Sequence, residues 1–269
     1  MSTAERYNGL SLVFAPSVYF VGRIEPNPDE VARFLSDHDA ADWVCDAPSG
    51  GEALVELGGR LCYMSFAKPR PGGNKAYVGH ILEVGHGSVL EHAVYTLIFT
   101  GVSRTLTHEL IRHRVGLSPS QLSQRYVDES DVAFVVPPRF IDEVRVIIAD
   151  RPSPMEINRG RAWIASMVKS LNEYRYIMVQ EAAYGTERKL ARESARSVLL
   201  GCTETKIQLT GNARAWRHFL EQRGSVGADA EIRRLALAVL PVLQAESPNL
   251  FGDYSIAADG SITTPHRKV

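Results

Sequence analysis

Ten consecutive residues, AVYTLIFTGV (93–102), are mostly apolar and rich in β-branched and aromatic types. They are too few to span a bilayer, and they read as a buried strand. A buried strand needs other elements packed on it, and the flanking sequence supplies them in helical period. ALVELGGRLCYMS (53–65) and residues 76–84 precede it, and SRTLTHELIRHR (103–114) follows with Ser103 placed as N-cap. Further strands are predicted at VAFVVPP (132–138), stopped by its double proline, and at ETKIQLTG (204–211). Helices are predicted over 155–183, over ERKLARESARSVLL with Thr186 as cap and Gly201 as stop, over 212–223 and over 228–244. VARFLSDHDAADWV (31–44) reads as a short helix and KPRPGGNK (68–75) as a loop. Pro16, Pro26, Pro28 and Pro48 break the first fifty residues into pieces with no clear period, and the tail from Asp253 is polar and expected to be loose. Helices and strands interleave irregularly, without repeats or linkers. The reading is one α+β domain over 1–269, not a doubly wound parallel sheet.

A formal net charge of -1 with 23% charged residues excludes the basic footprint of a general nucleic-acid binder, so any anion site is local. The three cysteines, Cys45, Cys62 and Cys202, are odd in number and widely spaced, which fits neither a disulfide framework nor a CxxC metal pair. No basic n-region leads into an apolar run at the amino terminus, and no run reaches the ~18 apolar residues of a membrane span. The expected setting is cytoplasmic, with no metal, membrane or nucleic-acid partner.

The local anion site is RHRVGLSPSQLSQRY (112–126), where cations and hydroxyls crowd together and no carboxylate lies between Glu109 and Asp128. Such donors call for anionic oxygen, phosphate above all. With the helix running to residue 114, Arg112 and Arg114 project about 200° apart and serve two ligands or two ends of one. Ser118-Pro119-Ser120 would end that helix, and Ser123 through Arg125 would cradle phosphate. The alternative is a solvated helix terminus with favourable cations. His108 and His113 differ by five positions, about 140° on a helix, so they do not form an HExxH zinc pair. In GHGSVLEH, Ser88 stands as a cap with Glu91 at the capping-box position, or the same N–H groups meet a phosphate. On NARAWRHFLEQR, Asn212, Trp216, Phe219 and Arg223 share a stripe about 60° wide, so Arg223 needs a partner at the end of an apolar face. Arg214, His218 and Gln222 lie beside it, and surface salt bridging is the bland reading of Arg214 and Arg217. Arg196, one turn beyond Arg192, would by itself be a dipole-compensating cation. Cys62 and Cys202 have no neighbouring base and read as buried thiols.

These motifs, in this order, resemble the flavin-dependent thymidylate synthases: GRLCYMS, GHGSVLEH, FTGVSRTLTHELIRHR, the RHR…SQLSQRY signature, ESARSVLL, TGNARAWRHF and AEIRRLA. The resemblance covers about Gly58 to Asp253. It implies a homotetrameric α+β enzyme with active sites shared between subunits, converting dUMP to dTMP. 5,10-Methylenetetrahydrofolate would supply the carbon, NADPH the hydride, and FAD would mediate. Carried over by position, Ser88, Arg112, His113, Arg114, Gln121, Asn212, Arg214 and His218 would contact FAD, with Glu91 near it. Glu109, Arg112, Gln121, Ser123, Gln124, Arg125 and Arg196 would hold dUMP. Arg223 would approach the uracil ring and stabilise negative charge there. No enzyme thiolate is implied. The chain departs from the pattern in three places. Eight residues, not seven, separate Arg114 from Ser123, an insertion placed at Val115–Leu117. Gly227 replaces a usual histidine, and Leu200 a common proline. Two other readings remain open: a binder on this scaffold that has lost turnover, and a polynucleotide binder using the 112–126 arginines.

Overall fold

The computed structural model describes residues 4–150 and 157–269. Its elements are α+β, and they pack as two compact units. Met1–Ser17, Phe99–Arg112 and Ser120–Ile207 form the first, and Val18–Ile98, His113–Pro119 and Gln208–Val269 the second.

In the first unit, strand β1 (Glu5–Tyr7) turns through Asn8-Gly9 into β2 (Leu10–Val13), antiparallel with Tyr7 opposite Leu10. Both turn residues have positive φ, 48° and 76°, as the two-residue hairpin turn that Asn-Gly favours requires. This hairpin lies in the stretch that showed no period, and the Asn-Gly pair was its available signal. β2 also pairs in parallel with β6 (Ala133–Val135), so the three-stranded sheet β1-β2-β6 is mixed. Leu10, Leu12, Phe134 and Val136 of this layer pack with Val144 of helix α5 (Ile141–Ile148) and with Ile164, Met167 and Leu171 of α6 (Asn158–Ala183). The predicted helix start at residues 155 and 156 lies outside the described residues. Gly185, at φ 73°, ends α6, and Thr186 N–H returns to Glu181 O at 3.0 Å. Thr186 therefore closes one helix and does not cap the next, α7 (Arg188–Ala195), which has no side-chain cap.

A four-stranded sheet has the order β3-β4-β7-β5, with β3 Ser17–Arg23, β4 Val94–Ser103, β5 Leu117–Gln121 and β7 Glu204–Asn212. The buried strand read from 93–102 is β4, whose Tyr95, Leu97, Phe99 and Val102 are wholly buried. Helix α4 (Arg104–Leu110) follows it directly, and Ser103 Oγ accepts from Leu106 N at 3.0 Å as the sequence predicted.

The second unit contains α1 (Pro28–Asp37), α2 (Gly50–Leu61), α3 (Gly73–Glu83), α8 (Ala213–Arg223), α9 (Ala230–Glu246) and the single turn α10 (Pro248–Phe251). Asn27 and Ser49 cap α1 and α2. The tail is ordered, not loose. β8 (Ser255–Ile256) and β9 (Ile262–Thr263) form an antiparallel pair, and Ile262 N donates to Gly224 O at 3.0 Å. Its anchor is a buried arginine, Arg217, which the sequence had read as a surface cation.

Candidate functional site

Helix α4 stops at Leu110, two residues before Arg112-His113-Arg114. Ile111 N bonds Thr107 O at 3.0 Å and Arg112 N bonds Glu109 O at 3.1 Å, a tightening last turn. The predicted helix through residue 114, and the 200° argument built on it, are therefore replaced by irregular chain with turns at 111–112 and 115–116. Ser118-Pro119-Ser120 does not terminate a helix either. It lies in β5, at the end of the sheet order, where a proline is tolerated because no partner needs its N–H. Gly116, at φ 72°, makes the bend between them, and its carbonyl accepts from Asn212 N at 3.1 Å. A Cβ there would fall 2.7 Å from Asn212 Nδ2 and 3.0 Å from Ala215 Cβ, so glycine is needed for conformation and for space. The insertion is accommodated by leaving Val115 92% exposed.

Within the second unit this bend meets α8. Asn212 caps the helix through Oδ1, which accepts from Ala215 N at 2.8 Å. Trp216 and Phe219 are wholly buried, and Arg223, at the end of their stripe, donates from Nε to His113 Nε2 at 2.8 Å. One partner of Arg223 is thus an imidazole. Burial, then the neighbouring Arg223 and His218, push His113 down to about 4, so the ring is neutral near pH 7 with its proton on Nδ1. The His113 ring lies 5.6 Å from that of His218 and 5.7 Å from Phe219, both edge-on. Arg214 pairs with Glu91 at 2.8 Å, and both side chains are 46% exposed. Ser88 is exposed in a 3-10 turn, Gly87–His92, that has no side-chain cap, so the capping box expected of Ser88 and Glu91 does not form. Glu91, Asn212, Arg214 and His218 line a cavity of about 250 Å³, and Ser88 and Arg214 line another of about 400 Å³.

Arg217 departs from the surface reading altogether. Its guanidinium is wholly buried, bonds Asp253 at 2.7 and 2.8 Å, and also reaches Leu250 O and His266 O. Glu221 accepts from Lys268 N, and Lys268 and Val269 line the smaller cavity. The tail was functionally blank in the sequence because none of these partners lies near α8 in order.

Glu109, Arg112, Gln121, Ser123, Gln124, Arg125 and Arg196 fall in the first unit, on α4 or just after it, on β5 and the loop that follows, and just past α7, whereas Arg114 falls in the second. Gln121 Nε2 donates to Thr107 Oγ1 at 3.0 Å, and Ser123 Oγ accepts from Arg125 N at 3.4 Å. Gln124 is buried, and its Nε2 has no partner. Arg125 lies over the Tyr126 ring, and Arg192 donates to Tyr126 O at 2.9 Å while its Nε has none. Arg196 is the C-cap just past α7 and is half-buried. Arg104 Nη1 is buried without a partner, and burial followed by the charge of Arg196 pulls Arg104 below its usual value. Three unshared donors in one unit suit an oxyanion with several lone pairs to fill. Arg104 and Arg192 were not nominated from sequence. Their signal was weak, because a lone arginine on a helix reads as solvated.

Cys62 is exposed, not buried, and donates to Gly58 O at 3.3 Å; Cys202 is half-buried. Burial pushes the Cys45 thiol up to about 11, away from thiolate chemistry. No group of metal-binding side chains occurs among the described residues, and none of their helices is long and apolar enough to cross a membrane.

Residues 44–249 match the profile of the family described as thymidylate synthase complementing protein. A flavin-dependent thymidylate synthase of Mycobacteroides abscessus is 49% identical over 224 residues, 82% of this chain and 86% of the relative. Proteins with the same description from Mycolicibacterium gilvum and Mycobacterium sp. strain JLS are 47% and 48% identical, covering 81% and 83% of this chain and 84% and 89% of theirs. The RHR segment and α8, a hundred residues apart in sequence and joined through His113 and Arg223, lie inside that match, and the chain belongs to the thymidylate synthase complementing protein family.

Proposed function

We propose that this chain is a flavin-dependent thymidylate synthase that reductively methylates dUMP to dTMP, with 5,10-methylenetetrahydrofolate as carbon donor and NADPH as reductant. The observation that carries the reading is the junction of His113 with Arg223 at 2.8 Å. It joins two motifs that the resemblance assigns to one active site, in a chain whose relatives carry that name. The family profile also takes in segments of both compact units, which supports treating 1–269 as one functional domain.

The second unit's donor set suits FAD. Arg214 offers a cation for a pyrophosphate, and neutral His113, with His218 and Asn212, offers flat and polar groups for an uncharged ring. Ser88, Glu91, Arg112, Arg114 and Gln121 complete the proposed cofactor set. A cavity of about 250 Å³ is smaller than the roughly 300–1,000 Å³ of ordinary ligand sites, which supports a site completed by other protomers of a homotetramer. Bound there, the flavin supplies the reducing equivalents of the methylation.

The protein's own part is binding and electrostatics. Glu109, Arg112, Gln121, Ser123, Gln124, Arg125 and Arg196 hold dUMP, and the unshared Nε2 of Gln124 is a donor in waiting for a phosphate oxygen. Arg223 stabilises negative charge developing on the pyrimidine. Because neutral His113 accepts its Nε–H, the direction of the guanidinium is fixed. None of the cysteines serves as nucleophile, and a cytoplasmic setting fits the small-molecule substrates. Two measurements test the reading: the visible spectrum of purified protein with and without dUMP, and dTMP formation from dUMP, 5,10-methylenetetrahydrofolate and NADPH. A flavin spectrum with product supports it. Bound flavin and nucleotide without product would favour the reading in which turnover is lost, and neither would end both.

A further inference from the structure

Glu129 belongs to no motif singled out in the sequence, yet it is 4% exposed and its Oε1 has no hydrogen-bond partner. Its backbone N–H is fixed by Tyr174 Oη of α6 at 3.1 Å, so the residue is held in place while its acid group stays unshared. The charges that act on it are Arg104 of α4, Glu204 and Lys206 of β7, and Asp128 of its own loop. Arg104 in turn feels Arg196 and has its own buried, unshared Nη1. An unused carboxylate oxygen coupled to an unused guanidinium N–H costs free energy on both sides, and such a pair needs a reason.

We propose that Glu129 is a positioning residue of the nucleotide site, acting through Arg104. With no nucleotide bound, ionised Glu129 balances the charge of Arg104; when a phosphomonoester enters, Glu129 takes up one proton from solvent and the phosphate becomes the counter-charge. This rests on the reading of the first unit as the dUMP site. Two anions cannot share one desolvated guanidinium cheaply, and neutralising the carboxyl is the least costly escape. The group is poised for it. Burial, then Glu204 and Asp128, raise its pKa to about 7 against the opposing pull of Arg104 and Lys206. A bound phosphate adds negative charge and raises it further. The sign follows: the nucleotide binds the protonated form, so affinity falls as pH rises through 7.

Calorimetry of dUMP binding at pH 7.5, in two buffers of different ionisation enthalpy, reads the proton directly. Net uptake of much of a proton is expected, and a phosphomonoester, with a second pKa of about 6, is already mostly dianionic there. Across pH 6 to 8 the unaltered protein should lose about tenfold in dUMP affinity. Glu129→Gln should vary less than half as much and show no uptake, whereas a merely structural role would weaken binding equally at every pH. Binding of dUMP without uptake by the unaltered protein, or uptake that survives in Glu129→Gln, overturns the proposal. No dUMP binding at any pH would instead sink the nucleotide reading on which it stands.

Discussion

Arg217 on α8 is wholly buried and Arg104 at the start of α4 is half-buried, and their surroundings treat their terminal nitrogens differently. The terminal nitrogens of Arg217 meet a bidentate carboxylate and two backbone carbonyls, most of them supplied by the tail, and its buried Nε alone is left without a partner. Arg104 keeps a buried N–H without a partner, in a unit where Gln124, Glu129 and Arg192 also have unshared buried atoms. A buried cation met end-on by a carboxylate, as Arg217 is by Asp253, holds a fold together. What sets Arg104 apart is a buried terminal N–H with no such partner, the kind of donor a ligand oxygen can complete.

The largest effect should come from breaking the satisfied pair. Asp253→Ala leaves a buried guanidinium uncompensated and should cost about 3–5 kcal/mol, read as a lowered denaturation midpoint. A loss under about 1 kcal/mol would mean that the tail is not the anchor described. Arg223→Ala tests the recognition side. Loss of charge stabilisation in the transition state should lower kcat by about 10²–10³-fold with flavin still bound, and near-normal turnover would remove Arg223 from its assigned role. Arg196→Ala should weaken dUMP by about 1.5–3 kcal/mol, as for a hydrogen bond to a charged group, with FAD affinity nearly unchanged. Equal weakening of both ligands in equilibrium titrations would contradict the division into two sets. The smallest effect belongs to Arg214→Ala. Its pair with Glu91 is half exposed, so stability should change by less than about 1 kcal/mol in denaturant melts, and any larger loss should appear in flavin retention.

Local signals carried much of the fold. The period of 212–223, the apolar run of β4 and the Ser103 cap depend on neighbours within a few residues, and each appears where the sequence placed it. The helix through Arg114 failed because periodicity continues past the point where backbone pairing takes over. Gly116 binds Asn212, and the edge strand claims residues 117–121. The hairpin at Asn8-Gly9 has a local signal, the Asn-Gly pair, but its strands of three and four residues are too short to show a period.

The site divides the same way. Motif order alone pointed to the family, since motifs are properties of side chains and their spacing. Only the tertiary structure decided that Arg217 is core, that the tail is its partner, that His113 is the acceptor for Arg223, and that Glu129 and Arg104 carry unshared atoms. Those facts depend on which distant groups remove water from a charge and which then replace it, and solvation of that kind has no counterpart in the order of residues along a chain.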